Sequence, residues 1–385
     1  MTSRQRMLMA LEGRAPDRLP ATTHHVMPYF LDTYMGGMSH REFFDHFGLD
    51  AAIWIAPCKP NATAGDYFDP DQGEPGFLAS KRIVSDNWRV ESEDIIGEKY
   101  PTARFRIHTP KGVLTSTLQT HAHSSWVTER LIKERNDIDV IGEFATAPLC
   151  DVEAVNKAGA EFGERGLVRG HICCFEVYGQ PGCWQDAACL VGIERLIMAA
   201  LEDPQWVHKL LAILQRRKLI YVKSLEGAHY DVLELGGGDA SSTVISPQIF
   251  DEFVAPYDAE LIRAAHEAGQ RIVYHTCGGM MPFLERIVGM NPDAMETFTP
   301  AGMGGDADLK EAKRRIGDKV CMIGGFDQGH FFKDCTPEQT KAEVRRCFEE
   351  TGTGGGYILS PSDHFFDAEP ALIQAYAEAA RDCTY

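Results

Sequence analysis

Residues 271–279 read RIVYHTCGG, an apolar, β-rich run that ends in polar residues and two glycines. Three other apolar runs also end in polar or glycine residues: Leu235 precedes GGGD, Ile323 precedes GGFDQ and Leu359 precedes SPSDH. Glycine at such a position lets the backbone turn tightly and approach a ligand closely. Four such run ends in one half of a chain indicate the carboxyl-terminal rim of an α/β barrel, where active sites lie.

Around this stretch, the C-terminal half alternates between short β-rich runs and helical patterns. The β-rich runs cover 231–235, 271–274, 294–297, 320–323 and 357–359. The helical patterns between and after them cover 247–268, 281–288, 309–316, 337–350 and 370–381. Short strands that alternate with helices of about ten residues predict βαβ units and a parallel sheet.

The N-terminal half completes the predicted barrel. Its strand candidates are 19–23, 51–55 and 167–172, which bring the total to eight. Between the last two, hydrophobic residues alternate with period two over 82–90, 103–108 and 113–119. This period is typical of strands with one buried face. We therefore predict a single (β/α)8-barrel domain over residues 1–385, with an antiparallel β insertion at about 82–120.

Composition excludes several classes of function. The formal net charge of −18 argues against a nucleic-acid partner, which needs a basic surface. No apolar run reaches the roughly 18 residues of a membrane span, and the N-terminus lacks a secretory signal pattern. The eleven Cys show no paired framework, which favours a reducing compartment. We expect a cytoplasmic protein without a membrane partner. A homodimer is compatible with the sequence, which does not fix the oligomeric state.

Several metal-ligating residue types follow the predicted strands. His275 and Cys277 lie two apart at a strand end, so their side chains point the same way, and imidazole with thiolate favours Zn²⁺. Glu296 ends the next strand, within reach of the same point, and the last strand adds Asp363 and His364. These residues predict a catalytic zinc site. A buried His beside an inert Cys, a salt-bridged Glu296, and a turn or cap role for Asp363 and His364 are the alternatives.

Longer stretches resemble the uroporphyrinogen decarboxylase superfamily. They include RMLMALEGRAPDRLP at 6–20, SPQIFDEFVAPY at 246–257 and IVYHTCGG at 272–279. The HTCG motif is similar to that of the zinc- and corrinoid-dependent methyltransferase branch. The resemblance implies a zinc ion on the His-x-Cys pair, a Glu nearby, and a corrinoid that is carried by a separate protein. The chain has no D-x-H-x-x-G corrinoid signature, which also favours a separate partner.

Two departures from the superfamily patterns bear on the reaction. The decarboxylases carry an RQAGRY-like loop after the first strand, whereas residues 23–34 read THHVMPYFLDTY and lack the Arg that would grip carboxylates. The methyltransferases carry a later Cys in an APGC-like motif, whereas residues 360–364 read SPSDH. Loss of that thiolate argues against thiol methylation and makes the metal a harder, stronger Lewis acid.

The resulting hypothesis is methyl transfer from a small methylated donor, such as a methoxylated aromatic compound, to the Co(I) of a corrinoid protein. The metal would stabilise the leaving group as charge develops on it. Asp239 and Asp327 are candidates to orient substrate or protonate the leaving group, with turn carboxylates as the alternative. Glu176 is a candidate general acid, with an ordinary ion pair as the alternative.

Aromatic and histidine residues complete the predicted pocket. The candidate substrate-binding residues are His24, His25, Phe175, Tyr178 and Trp184. Aromatic walls suit a flat aromatic donor or a cationic methylamine, while core packing and exposed loop histidines are the alternatives. Three other functions stay open: a methylcorrinoid:thiol methyltransferase, a uroporphyrinogen decarboxylase-like lyase, and a non-enzymatic corrinoid- or metal-binding protein.

Overall fold

The computed structural model describes residues 1–73, 75 and 80–385, which fold as alternating strands and helices. The strands are β1 (Ala51–Trp54), β2 (Cys58–Lys59), β3 (Tyr67–Phe68), β4 (Ile83–Val84), β5 (Arg89–Ile95), β6 (Thr102–Thr109), β7 (Gly112–Thr120), β8 (Ser125–Glu129), β9 (Leu149–Cys150), β10 (Gly166–His171), β11 (Val232–Gly236), β12 (Ile272–His275), β13 (Ala294–Thr297), β14 (Cys321–Phe326) and β15 (Tyr357–Pro361). The helices are α1 (Ser3–Leu11), α2 (Pro28–Tyr34), α3 (His40–Phe47), α4 (Asp137–Phe144), α5 (Val152–Phe162), α6 (Cys183–Val191), α7 (Ile193–Glu202), α8 (Pro204–Lys223), α9 (Pro247–Ile249), α10 (Ala255–Glu267), α11 (Leu284–Gly289), α12 (Leu309–Ile316), α13 (Gln328–Phe331), α14 (Pro337–Thr351) and α15 (Pro370–Asp382).

The central sheet is parallel and curls towards closure. Its strands lie in the order β1-β10-β11-β12-β13-β14-β15. Ala21 pairs in parallel with Leu359 of β15, and the Thr22 amide donates to the Leu359 carbonyl at 2.9 Å. On the other side, the Asp50 amide donates to the Ala21 carbonyl at 2.8 Å, just before β1. The predicted strand 19–23 therefore takes the place between β15 and β1, and the predicted TIM-barrel-like fold is confirmed.

The barrel lumen changes from apolar to charged along its axis. At the amino-terminal end it is filled by Ala52, Leu167, Val232, Val273, Ala294, Cys321, Ile323 and Ile358. Met7, Ala10 and Leu11 of α1 pack against these residues and cover that end. Because side chains alternate along a strand, the next lumen-facing position lies two residues further on. On β10, β11, β12 and β13 these positions are Arg169, Glu234, His275 and Glu296.

An antiparallel sheet of β5, β6, β7 and β8 lies in the chain between β1 and β10, where the sequence predicts the β insertion. Two of its predicted bounds are wrong. The predicted strand 82–90 is split into β4 and β5, because Ser85 and Trp88 close a turn with reciprocal backbone hydrogen bonds of 3.2 and 3.0 Å. The sheet also continues past 120 through β8. At its base, β2 pairs antiparallel with β9, and Cys58 lies opposite Cys150.

The helices begin at caps that the sequence encodes. Asp203 accepts a hydrogen bond from the Trp206 amide at the start of α8, and Asp308 accepts one from the Glu311 amide at the start of α12. The predicted helix 247–268 corresponds to α9 and α10, which a π-helical segment, Phe250–Val254, joins. Among the described residues, no helix is both long and apolar enough to span a membrane.

Candidate functional site

A cavity of about 640 Å³ opens at the carboxyl-terminal end of the barrel strands. Loops that follow these strands form most of its wall, and residues 80–83 from the base of the insertion complete it. The predicted site residues that line it are His24, His25, Phe175, Glu176, Tyr178, His275, Cys277, Asp363 and His364. Most of the residues that the sequence predicts for the site therefore lie together in the structure, at the rim where barrel enzymes carry their active sites.

Arg169 and Glu296 form a buried ion pair across the floor of this cavity. Arg169 Nη2 donates to both carboxylate oxygens of Glu296, at 2.8 and 3.0 Å. The Arg169 guanidinium also lies 4.2 Å from the centroid of the Trp54 ring. The two charged side chains come from strands that are not neighbours, so both point into the lumen. Arg169 lies two residues after Leu167 on the lumen face of β10, and its partner lies 127 residues further along the chain.

His275 lies between two of its predicted co-ligands. Its Nδ1 is 3.1 Å from Glu296 Oε1, and its Nε2 is 3.0 Å from Cys277 Sγ. The lone pairs of the two ring nitrogens diverge, so Cys277 and Glu296 lie on opposite sides of the imidazole. His275, Cys277 and Glu296 are close together, as predicted. With this ring orientation, however, their ligand atoms do not surround a single metal position. An ion on Nε2 would lie beside Cys277, and an ion on Nδ1 would lie beside Glu296.

Among the described residues, one buried group of metal-ligating side chains gathers on the Nδ1 side of His275. It consists of His24, Glu234, His275 and Glu296, whose ligand atoms all lie within 4.8 Å of one another. We call this group the tetrad. His24 was predicted to bind substrate, and Glu234 was not predicted as a site residue. Glu234 could have been found from its position two residues after Val232, because an acidic residue inside an apolar run then lies on the lumen face of the strand.

The environment of the tetrad shifts the pKa values of its two carboxyl groups in opposite directions. Burial raises the pKa of Glu234 to about 7. Burial acts in the same direction on Glu296, but Arg169 and His24 outweigh it and hold the pKa of Glu296 well below its usual range. Burial lowers the pKa of His24 to about 4. At neutral pH the structure therefore holds Glu296 as a carboxylate and His24 as a neutral imidazole.

Backbone geometry at the strand ends brings these side chains together. Gly236 ends β11 with φ of 109°, and a Cβ there would lie 2.3 Å from the His275 carbonyl oxygen, so only glycine fits. Thr297, next to Glu296, has φ of 90°, a costly conformation for a β-branched residue. A hydrogen bond of 2.7 Å from Thr297 Oγ1 to the Thr276 carbonyl holds it there.

Asp363 and His364 lie at the cavity wall as a pair. His364 Nδ1 is 2.9 Å from Asp363 Oδ1, and the His364 ring stacks at 6.2 Å from that of His24. In the described part of the chain, neither residue belongs to the group of ligand atoms around His275. A metal role for these two residues stays a prediction.

The predicted catalytic acids have structural partners. Glu176 forms a buried ion pair of 2.6 Å with Arg217 and accepts a hydrogen bond from Trp88 Nε1. This arrangement is the ion pair that the sequence analysis gave as the alternative, although Glu176 does line the cavity.

Asp239 and Asp327 lie outside the cavity lining. Asp239 Oδ2 accepts a hydrogen bond of 2.9 Å from the Gln185 side chain. Asp327 caps α13 by accepting a hydrogen bond from the His330 amide at 3.1 Å. Asp327 is therefore a helix cap, whereas the Asp239 carboxylate bonds a side chain. A catalytic role for either residue stays a prediction.

The predicted aromatic wall is present in part. Phe175 and Tyr178 line the cavity, and Tyr178 Oη donates to the Ser125 carbonyl in the insertion. Trp184 is fully buried instead, with its ring centroid 6.1 Å from that of Phe253. The indole lies on the inner face of α6, which places it in the packed core and away from the cavity.

Comparison with known proteins places the chain in a family. A sequence model described as uroporphyrinogen decarboxylase (URO-D) matches residues 179–383, more than half of the chain. The chain belongs to this family of enzymes. Uroporphyrinogen decarboxylase from Neisseria meningitidis serogroup C is 27% identical over 162 residues, which are 41% of this chain and 42% of that protein. The enzyme from Azotobacter vinelandii is 27% identical over 190 residues, 47% of this chain and 49% of that protein. The chain thus spans less than half the length of these URO-D relatives.

A solved structure shares the fold of nearly the whole chain. A methyltransferase from Methanosarcina mazei superposes with a TM-score of 0.60 over 99% of this chain and 98% of that one. The two sequences are 16% identical, so this likeness establishes a shared fold.

Proposed function

We propose that this protein is a metal-dependent methyltransferase, which moves a methyl group from a small methylated donor to the Co(I) of a separate corrinoid protein. The donor class that fits the cavity best is a methoxylated aromatic compound. One observation carries the proposal: a group of metal-ligating side chains gathers around His275 at the cavity floor of a URO-D family barrel.

The residues around His275 suit a divalent metal ion. Cys277 offers a sulfur on the Nε2 side, while Glu296, Glu234 and His24 offer oxygen and nitrogen on the Nδ1 side. Glu234 Oε2 is buried and has no hydrogen-bond partner among the described residues, and a buried carboxylate oxygen in that position costs free energy unless a proton or a metal cation satisfies it. When bound, zinc would supply Lewis-acid stabilisation of the atom that leaves the methyl group.

In the proposed reaction, the methyl–oxygen bond of the donor breaks and its electron pair stays on the oxygen. The two-electron nucleophile Co(I) forms the new bond to the methyl carbon, which leaves a phenolate to be neutralised. Tyr178, which lines the cavity and is half-buried, is the predicted aromatic side chain that can meet the donor ring. Arg169 keeps Glu296 charged and fixed, and Glu296 in turn fixes the His275 ring.

The two arginines of the cavity wall favour this reading over a porphyrinogen lyase. Arg82 is paired with Asp69 at 2.7 Å, and Arg217 is paired with Glu176 at 2.6 Å. A substrate with several carboxylates needs bidentate cations that are free to meet it. These two guanidinium groups already have carboxylate partners within the chain, so an uncharged or singly charged donor suits the cavity better.

The test is anaerobic methyl transfer to free cob(I)alamin. Methoxylated benzenes and methylamines are offered in turn, and the conversion of cob(I)alamin to methylcob(III)alamin is followed by its absorbance. We expect transfer by the wild type and at least a 100-fold slower rate for His275→Ala, because loss of a ligand exceeds the roughly 10–100-fold effect of outer-shell changes. His229→Ala, at an exposed position, is the matched control.

Two other results would replace the proposal. Methyl transfer from methylcobalamin to a thiol, without any donor reaction, would support the thiol methyltransferase. Release of carbon dioxide from uroporphyrinogen, with no methyl transfer to cob(I)alamin, would support the lyase.

A further inference from the structure

We infer that the metal is held by the tetrad of His24, Glu234, His275 and Glu296, and that Cys277 lies outside its coordination shell. The inference rests on the proposed function only in placing a metal at His275. It assigns a nitrogen and carboxylate ligand set where the His-x-Cys motif suggests a thiolate. A first-row divalent ion such as Zn²⁺, Co²⁺ or Mn²⁺ is the class of ligand that such a set binds.

The distances within the tetrad are close to those of a coordination shell. Glu296 Oε1 lies 3.1 Å from His275 Nδ1 and 3.7 Å from His24 Nδ1. Glu234 Oε2 lies 3.8 Å from His275 Nδ1 and 3.9 Å from His24 Nε2. Two ligands bound tetrahedrally at 2.0–2.1 Å are about 3.3 Å apart. A single ion can bind only one nitrogen of His24. With one ligand atom from each residue, the four atoms lie within 4.8 Å of one another, and side-chain rotations would draw them in to the shell distance.

The fold brings the four groups together from neighbouring parts of the barrel. His275 of β12 is in register with Glu296 of β13 and, on its other side, with Gly236 of β11, two residues after Glu234. His24 follows the segment that lies between β15 and β1. The tetrad therefore lies inside the lumen, where all four side chains are buried from solvent. A site on the lumen face of adjacent strands is more rigid than one made by loops.

The charges around the tetrad leave room for a cation. Glu234 and Glu296 are two potential negative charges, and Arg169 supplies one positive charge. Arg169 makes hydrogen bonds with Glu296 but only approaches Glu234, at 4.0 Å. Glu234 Oε2 is thus a buried oxygen, close to three nitrogen-bearing side chains, that accepts no hydrogen bond from the described residues. A divalent ion bonded to this oxygen would satisfy it and balance the second carboxylate.

Cys277 lies on the wrong side of the imidazole for this ion. Its sulfur is 3.0 Å from His275 Nε2, whereas the tetrad gathers on Nδ1. With a metal on Nδ1, Nε2 keeps its hydrogen and donates it to the sulfur. Cys277 then orients the His275 ring as an outer partner, a role that carboxylates and carbonyls play for other metal-bound histidines.

The experiment measures the ligand set without any methyl donor or corrinoid. The full chain is stripped with a chelator and reloaded with Co²⁺, and its absorption spectrum is recorded, since a thiolate ligand adds an intense sulfur-to-cobalt band in the near ultraviolet. Metal content and affinity are then measured for Glu234→Gln, His24→Gln, Cys277→Ala and Asp363→Asn. We expect no thiolate band in the wild type, a loss of affinity above 100-fold in the first two variants, and one metal ion per chain in the last two.

An intense thiolate band in the wild type would overturn the inference, and this result needs no variant to fold. Metal loss in Cys277→Ala with full retention in Glu234→Gln would overturn it as well, provided that both variants keep the wild-type melting temperature. A protein that loads metal on the tetrad but transfers no methyl group to cob(I)alamin would refute the proposed function alone. The two proposals therefore fail separately.

Discussion

Glu234 and Glu296 show how far environment separates two identical side chains. Glu296 accepts hydrogen bonds from Arg169 Nη2 at both of its oxygens, whereas Glu234 lies in the same lumen without such a partner. Glu296 could be predicted because it ends the strand that follows the HTCG motif along the chain. Glu234 was missed because an acid inside an apolar run shows its role only when the lumen face of the strand is known. Arg169 was missed in the same way, and its pairing with Glu296 could not be predicted because it joins distant strands.

Asp258 allows the effect of burial on the pKa of a single carboxyl group to be tested. It is fully buried, and its carboxylate accepts hydrogen bonds from the Cys183 amide and from Tyr274 Oη. Burial raises its pKa from 3.8 to about 6 in the folded protein. The folded state therefore binds its proton more tightly than the unfolded state, and this contribution to stability is full below pH 3.8 and is lost as pH rises through 6.

As pH rises from 4 to 7, we expect the free energy of unfolding to fall less for Asp258→Asn than for the wild type. The difference in pKa corresponds to about 3 kcal/mol between the two protonation states, an upper estimate of the effect. Urea unfolding at several pH values measures it. Identical pH profiles for the two proteins would show that Asp258 titrates in the folded state as it does in the unfolded chain.

At the scale of elements, α8 and α6 hold the loop that forms one cavity wall, residues 173–180. Lys218 Nζ donates to the carbonyls of Cys173 and Gln180 and lies 2.9 Å from Asp186 Oδ2. Asp186 Oδ1 in turn accepts hydrogen bonds from the amides of Phe175 and Gln180. A buried ion pair thus satisfies both ends of the loop, which fixes the wall that carries the predicted aromatic residues.

Lys218→Met is expected to destabilise the protein by about 3–5 kcal/mol, because it leaves Asp186 as an unpaired buried charge. Lys209→Met, on the same helix, removes an exposed ion pair with Asp139 and is expected to cost less than about 1 kcal/mol. Denaturant unfolding of the two variants compares them directly. Equal losses would mean that the buried pair contributes no more than the surface one.

Element bounds were predictable where the periodicity is strong and the turns are conventional. The strand 294–297 and the helix 309–316 have the predicted bounds in the structure. The predicted strand 82–90 is wrong because Asp86 and Asn87, which favour turns, interrupt it. The strand β8 was missed because its short run, SWVTE, follows a loop rich in histidine and serine, with little alternation to mark it.

At the scale of the whole molecule, the insertion reaches across to the barrel loops at the cavity mouth. His123, in the turn between β7 and β8, stacks on Phe366 at 4.5 Å and meets Tyr29 edge-on at 4.4 Å. Nearby, the Ser125 carbonyl accepts the hydrogen bond from Tyr178. These contacts join parts of the chain far apart in sequence, so no local pattern could have predicted them.

His123→Ala is expected to loosen this contact without unfolding the barrel. Loss of aromatic contacts worth about 1 kcal/mol should raise local opening of the turn about fivefold. Hydrogen exchange over residues 112–129 measures this opening. His108→Ala is the control, since the His108 side chain pairs with Glu91 within the insertion. Equal exchange in the wild type and both variants would show that the turn is held by other contacts.

The pairing of β2 with β9 has a consequence for how this barrel can be altered. The chain leaves for the insertion and returns from it on adjacent antiparallel strands, about 4.8 Å apart. Such a gap can be bridged by a tight two-residue turn. The segment between Lys59 and Leu149 therefore begins and ends at neighbouring points of the structure. It could be exchanged with that of a related barrel if the replacement also supplies the core contacts of Trp88, Ile138 and Ile141. Substrate range could then be varied through this segment while the strands around His275 keep their chemistry.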